Sequence, residues 1–277
     1  MDQDRLSWYS RMNRRSVTRA GLCVAFTFLG AGGAHASSAP GLLKKLRTST
    51  EKNKGYDRDL FNIWTDADEN GCDTRDEVLY RQNTARPKTC GSDAGTWASV
   101  YGGLRIYDAS DLDVDHMVQL AEAFGSGAWA WSPSAEEAYA NDLYKLSLIA
   151  VSAASNRSKS DRDPAEWLPP KKSYVCRYVA NWTAVKYRWR LTVDGRERKA
   201  LNKTFSSCSK AALKLPAIPR ASVKQSPVNP DPEPGGTDPR FDTCTAAKAA
   251  GYGPYIRGVD PEYEWYRDAD NDGRVCE

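Results

Sequence analysis

Apolar and polar residues alternate through LRIYD (104–108) and LDVDHMV (112–118), the period-2 pattern of short half-buried strands. LSLIAVSA (146–153) carries the same signal with more continuous apolar content. Helical spacing predicts elements over about 41–64, 74–82, QLAEAFGSG (119–127) and PSAEEAYAND (133–142). The third of these stops at its glycines, and the fourth opens on Pro133. A further helix should start within ASNRSKSDRDPAEWL (154–168), and a long amphipathic one should span SYVCRYVANWTAVKYRWRL (173–191). From Lys214 to Arg240 the chain is proline-rich and aperiodic, which predicts an extended linker over 215–240. The remaining 241–277 is a compact module too small to stand on apolar burial alone.

Residues 1–36 are expected to be a signal peptide. Arg11, Arg14, Arg15 and Arg19 precede the apolar AGLCVAFTFLGAGG, which is too short to span a bilayer, and AHA (34–36) has the small-x-small form of a cleavage site. Beyond it, acidic and basic residues balance overall but not locally. Net charge is −7 over 37–142, +12 over 143–220 and −5 over 221–277. That polarity points to cation ligands in the first part and a polyanion partner in the second. Six of the seven cysteines lie outside the signal, as an oxidising compartment favours. Chain proximity favours the pairs Cys72–Cys90, Cys176–Cys208 and Cys244–Cys276.

His116 is the one histidine beyond the N-terminal segment, and it follows Asp111, Asp113 and Asp115. At a strand end, Asp115 could reach a hard cation and His116 a water molecule. Asn156 could add an amide oxygen, and Arg157, Lys159 and Arg162 follow it as phosphate donors. Taken singly, a lone histidine beside aspartates is more often structural.

DVDHMV followed by ASNRSKSD resembles the Asp-His…Asn form of the HNH, or ββα-metal, nuclease motif, and the same words occur in the HNH domain of RNA-guided CRISPR nucleases. More widely, about 56–170 is similar to exported actinobacterial HNH-family proteins related to the C-terminal domain of GmrSD-type restriction enzymes. YDRDLFNIWTDADENGCDTRDEVL, DVDHMVQLAEAFGSGAW, AND and LIAVSAASNRSKSDRDPAEWLPP carry that likeness. The resemblance implies an α+β nuclease domain over 37–214 with a ββα-metal core and surrounding helices. It also implies His116 as general base and Asp115 and Asn156 as metal ligands. Asn141 would brace the loop and orient the histidine, and Asp113 would support the site. With no second histidine, oxygen ligands point to Mg²⁺ or Mn²⁺.

DADENGCDTRDE (66–77) fits the EF-hand loop template, with Asp66, Asp68, Asn70, the Cys72 carbonyl and Glu77 as Ca²⁺ ligands, against an acidic turn that caps the next helix. Arg75 in that segment is a second candidate phosphate clamp. In the C-terminal module, FDTCTAAKAAGYGPY and DADNDGRVCE resemble the excalibur calcium-binding domain, implying Asp268, Asp270, Asp272 and Glu277 as ligands. The basic helix interleaves Arg177, Lys186, Arg188 and Arg190 with aromatics; Trp182 and Trp189 should be core, while the arginines would extend a phosphate-binding surface.

The resulting expectation is a secreted endonuclease of low sequence specificity acting on DNA, with RNA as a further substrate and with envelope contact through the C-terminal module. The competing readings are a non-enzymatic calcium-dependent surface protein and a phosphodiesterase acting on a polyanion such as teichoic acid.

Overall fold

The computed structural model describes residues 37–67, 69–225, 240–249, 252–258, 260–269, 271 and 273–276. The signal-peptide segment, Asp68 and most of the linker lie outside them.

In chain order the elements are β1 (Ser37–Ser38), α1 (Ala39–Leu43), α2 (Thr74–Gln82), β2 (Ala94–Ser99), β3 (Leu104–Asp108), β4 (Leu112–His116), α3 (Leu120–Gly125), α4 (Pro133–Ala140), β5 (Leu148–Ser152), α5 (Ala153–Lys159), α6 (Lys172–Trp189), α7 (Gly195–Ser206) and β6 (Lys214–Leu215). The C-terminal module adds α8 (Cys244–Ala249), β7 (Tyr255–Ile256) and β8 (Arg274–Val275). The strands form four two-stranded antiparallel pairs: β1–β6, β2–β3, β4–β5 and β7–β8.

The β4–β5 pair positions the site. Its register places Asp113 opposite Val151, Asp115 opposite Ile149 and His116 opposite Leu148. Side chains of a strand alternate between faces. Leu112 and Val114, with Leu148 and Ala150 of β5, bury one face against Val78 and Leu79 of α2 and Trp97 of β2. The other face carries Asp113 and Asp115 towards α5. On the open edge of β5, the Gln82 amide takes the place of a strand: its Nε2 donates to Leu148 O at 3.1 Å and its Oε1 accepts from Ala150 N at 3.0 Å. That side chain satisfies backbone groups an edge strand would leave unpaired.

The helices have local causes. Asp73 caps α2 by accepting from Asp76 N at 2.8 Å, and Asp194 caps α7 by accepting from Glu197 N at 2.7 Å, each worth about 1 kcal/mol. The main core joins α1, α3, α4, α6 and α7, with Tyr178, Trp182 and Trp189 of α6 buried in it. Inside it Lys186 Nζ is fully enclosed and held by Glu122 at 2.5 Å and Glu197 at 2.6 Å.

Several expectations change. The helix expected over 41–64 ends at Leu43. Arg198 takes the carbonyls of Leu43 and Leu46, and Thr48 bridges to Val193, so long-range partners replace the helical ones. The helix starting at Ala153 closes at Lys159, where Ser160 turns to φ 49°. The packed domain extends past Lys214: Leu215 pairs with Ser37, Ile218 and Ala221 enter the core, and Gln225 bridges to Trp131. The extended linker therefore cannot begin at 215. Neither β2 nor α7 was expected from the sequence pattern.

The disulfides join Cys72 to Cys90, Cys176 to Cys208 and Cys244 to Cys276. Among the described residues, no helix is long and apolar enough to cross a membrane.

Candidate functional site

An open cleft of about 350 Å³ lies at the end of β4, and its walls include Asp115, His116, Gln119, Asn156, Arg157 and Arg58. His116 is buried at 7% exposure. Its Nε2 lies 2.9 Å from the carbonyl oxygen of Ala140, the last residue of α4. A carbonyl can only accept, so Nε2 carries the proton and Nδ1 is left as the basic lone pair. Trp64 and Tyr139 both stack with the ring, at 5.7 and 6.2 Å between centroids. Burial pulls the imidazole down from the ordinary histidine value to about 4, so it is neutral at neutral pH.

The Asn141 amide hydrogen-bonds residues other than His116. Its Oδ1 accepts from Thr65 N at 3.0 Å, and its Nδ2 donates to Asn62 O at 2.8 Å and Glu137 O at 2.9 Å. It ties the loop carrying Trp64 to the end of α4, beside the carbonyl that fixes the histidine. Tyr139, on the same helix, donates to Val118 O.

On the opposite face of β4, Asp115 accepts from Tyr101 Oη at 2.6 Å and from Lys159 Nζ at 2.9 and 2.7 Å. The same ammonium reaches the carbonyl of His116 at 2.7 Å. Burial pushes Asp115 above the usual carboxylate range, opposed by Lys159 and Tyr101. The same burial pulls Lys159 below the usual lysine range, opposed by Asp115. One helical turn before Lys159, Asn156 donates through Nδ2 to Asp113 at 3.1 Å. That bond turns the amide oxygen of Asn156 away from Asp113.

This donor set fits a hard divalent cation. A carboxylate and an amide oxygen open on one cleft, no soft ligand accompanies them, and Mg²⁺ completes its shell with water. Asp115 and Asn156 would hold it.

The predicted phosphate donors divide. Arg157 lines the cleft and is exposed, and Arg162 is exposed with its Nε on the Lys159 carbonyl. Lys159 is fully buried, so its expected role as a phosphate contact is corrected: all its protons are spent on Asp115 and the His116 carbonyl. Arg75 is corrected likewise, because its guanidinium bonds the carbonyls of Ala109 and Leu112 and does not line the cleft. On α6, Lys186 is internal and Arg188 is committed to Asp142 at 2.8 Å, while Arg177 bonds Lys214 O. Only Arg190 of that group is exposed without such a bond in view. Sequence reasoning missed Arg58, Gln119, Trp64 and Tyr101. The spacing from Asn156 to Lys159 was the available signal for the buried lysine, since residues three apart share a helix face.

In the loop at 66–77, Asp66 accepts from Asn70 N and Gly71 N, and Asn70 Nδ2 donates to Glu77 at 3.1 Å. Positions 1, 5 and 12 of the loop thus converge, and Gly71 makes the turn at φ 87°. Glu77 also pairs with Arg81 at 2.6 Å. In the C-terminal module, Asp268 accepts from Asn271 N at 2.7 Å and Gly273 N at 2.9 Å and pairs with Arg257. Asp270, Asp272 and Glu277 lie outside the described residues.

β4, β5 and α5 thus form a strand–strand–helix unit with Asp115 and His116 on the first strand and Asn156 on the helix. The chain belongs to the family described as GmrSD restriction endonucleases, C-terminal domain, which residues 44–204 match. Residues 241–277 match the Excalibur calcium-binding domain. A secreted protein of uncharacterised function from Arthroderma benhamiae is 38% identical over 176 residues, covering 62% of this chain and 86% of that protein. No solved structure matches the chain.

Proposed function

We propose that the protein is a secreted, metal-dependent endonuclease of HNH type that hydrolyses phosphodiester bonds of DNA, and of RNA as a further substrate, with low sequence specificity. The observation that carries this reading is the Nε2 contact to Ala140, which leaves Nδ1 as the basic nitrogen of a neutral imidazole whose residue lines the same cleft as Asp115 and Asn156. His116 Nδ1 takes a proton from the attacking water, a role worth on the order of 10²–10⁴ in rate. Mg²⁺ or Mn²⁺ held by Asp115 and Asn156 would neutralise charge developing on the departing oxygen. Asp113 keeps Asn156 oriented, and Asn141 keeps the Trp64 loop closed over the imidazole. Arg157 and Arg58 on the cleft wall suit backbone phosphates, and Arg162 extends that surface. Nothing in the chain resembles a base-reading module.

Calcium is assigned to the C-terminal module, through Asp268, Asp270, Asp272 and Glu277. Its affinity would be in the weak extracellular range of about 10⁻⁴–10⁻³ M, and the module would serve envelope contact. A second Ca²⁺ site is proposed in the loop of Asp66, Asp68, Asn70, Cys72 and Glu77.

The test is digestion of plasmid DNA, RNA and a teichoic acid by the purified protein, with Mg²⁺ and with chelator, beside His116→Ala. Metal-dependent cutting of nucleic acid that His116→Ala abolishes supports the reading. Cutting of wall polymer alone, or full activity in His116→Ala, sinks it.

A further inference from the structure

The buried ammonium of Lys159 sits where a metal-binding site is expected to offer negative charge. Its three protons go to both oxygens of Asp115 and to the carbonyl of His116, at 2.7–2.9 Å. Tyr101 takes a further lone pair of Asp115. Asp115 therefore presents almost no net charge to the cleft. Around it the formal charges cancel: Asp113, Asp115 and Asp161 stand against Arg58, Arg157 and Lys159. A dication meets an arrangement that is preorganised in shape but neutral in sum, and a neutral oxygen site holds a hard cation weakly. Phosphodiester oxygens entering the cleft bring the missing negative charge to the position where the metal must sit.

We propose that Lys159 couples metal to substrate, so that the nuclease site takes up its divalent cation together with the phosphodiester and not before it. This inference rests on the nuclease reading above. Lys159 is a positioning residue: it fixes the Asp115 carboxylate and the His116 backbone at once, and it sets the charge against which the metal competes. Linkage makes the coupling reciprocal, so metal tightens DNA binding by the same factor that DNA tightens metal binding.

The experiment uses the full chain carrying His116→Ala, which binds without cutting, and measures free Mn²⁺ by electron paramagnetic resonance with and without a short DNA duplex. The same chain with Asp115→Asn added gives the contribution of the DNA and of the calcium-type loops, which is subtracted. Asp115-dependent Mn²⁺ binding should be at least about tenfold tighter with DNA than without it. Lys159→Met in the same background should raise DNA-free Mn²⁺ affinity by about tenfold, with folding checked by thermal melting. The comparison with and without DNA needs no change at Lys159, so it decides the matter if Lys159→Met fails to fold. Equal affinity with and without DNA overturns the coupling and leaves the nuclease reading standing. Absence of Asp115-dependent binding in both mixtures, with no cutting by the wild-type protein, overturns the nuclease reading itself.

Discussion

Replacing Lys186 by methionine removes a charge from the centre of the main core and keeps most of the side-chain volume. The ammonium bonds Glu122 at 2.5 Å, Glu197 at 2.6 Å, Ser126 Oγ at 2.9 Å and the Thr192 carbonyl at 3.0 Å. Glu197 is fully buried and Glu122 nearly so. Without the lysine, two carboxylates stand close together with no counter-charge. Breaking a buried pair in this way costs about 3–5 kcal/mol, a large part of the roughly 5–15 kcal/mol that holds a domain together. For a domain of this size that is a fall in Tm of about 10 °C. The pH dependence follows from the same burial, which already raises Glu197 above the ordinary carboxylate range despite Lys186. In Lys186→Met the Glu197 carboxyl rises further, so the folded state binds a proton that the unfolded state releases. Stability of the variant then falls as pH climbs above the unfolded carboxylate value near 4.3, and its deficit against wild type is larger at pH 8 than at pH 5. Calorimetry of both proteins across that range measures it. The triple variant Lys186→Met/Glu122→Gln/Glu197→Gln should recover much of the loss. A Tm shift under about 2 °C, or a deficit that does not change with pH, refutes the ion-pair reasoning.

His116→Ala should lower cleavage by about 10²–10⁴ while leaving the thermal transition in place, measured by plasmid nicking and calorimetry. Because burial holds His116 near 4, the base stays neutral from pH 8 to 6 and kcat should be flat there; a decline centred on 6.5 would show an ordinary imidazole. Asn141→Ala strips two hydrogen bonds from the Trp64 loop and should reduce kcat by less than His116→Ala does, with KM for DNA unchanged; a wild-type rate would remove the loop from the mechanism. Cys176→Ser/Cys208→Ser opens a link across 32 residues and should cost about 3 kcal/mol of unfolding free energy, read from denaturant titration; a loss under about 1 kcal/mol would mean the α6–α7 packing holds without it.

The strand pair was legible because its alternation is strong on both sides: Leu112, Val114, Leu148 and Ala150 all face α2. β2 was not, because AGTWAS offers one large apolar residue, and what fixes it is distant: Trp97 Nε1 donates to Leu79 O and Ser99 Oγ accepts from Ser152 N. α7 hides for a different reason. Its sequence is dominated by charge, and only Glu197, Leu201 and Phe205 point inward. That Asp115, His116 and Asn156 would come to one place was legible as residue types in order, and they do line one cleft, but their partners were not legible. A lysine inside SNRSKSD reads as solvated charge, and only the turn of α5 brings it under Asp115.

Strand parity explains how one cleft can hold two kinds of chemistry with separate supports. Asp115 and His116 are neighbours, so their side chains leave β4 on opposite faces, and both reach the cleft because the strand ends at His116. The carboxylate is governed by Lys159 of α5 and by Tyr101, while Asp113 holds the Asn156 amide. The imidazole is governed from the α4 side by the Ala140 carbonyl, Tyr139 and the Trp64 loop that Asn141 secures. Substitutions on the first side should move metal affinity and leave the pH profile alone. Substitutions on the second should move the base and leave metal affinity alone. Lys159 Nζ bonds Asp115 and the backbone carbonyl of His116 together, so Lys159 is a position at which the two properties should change at once.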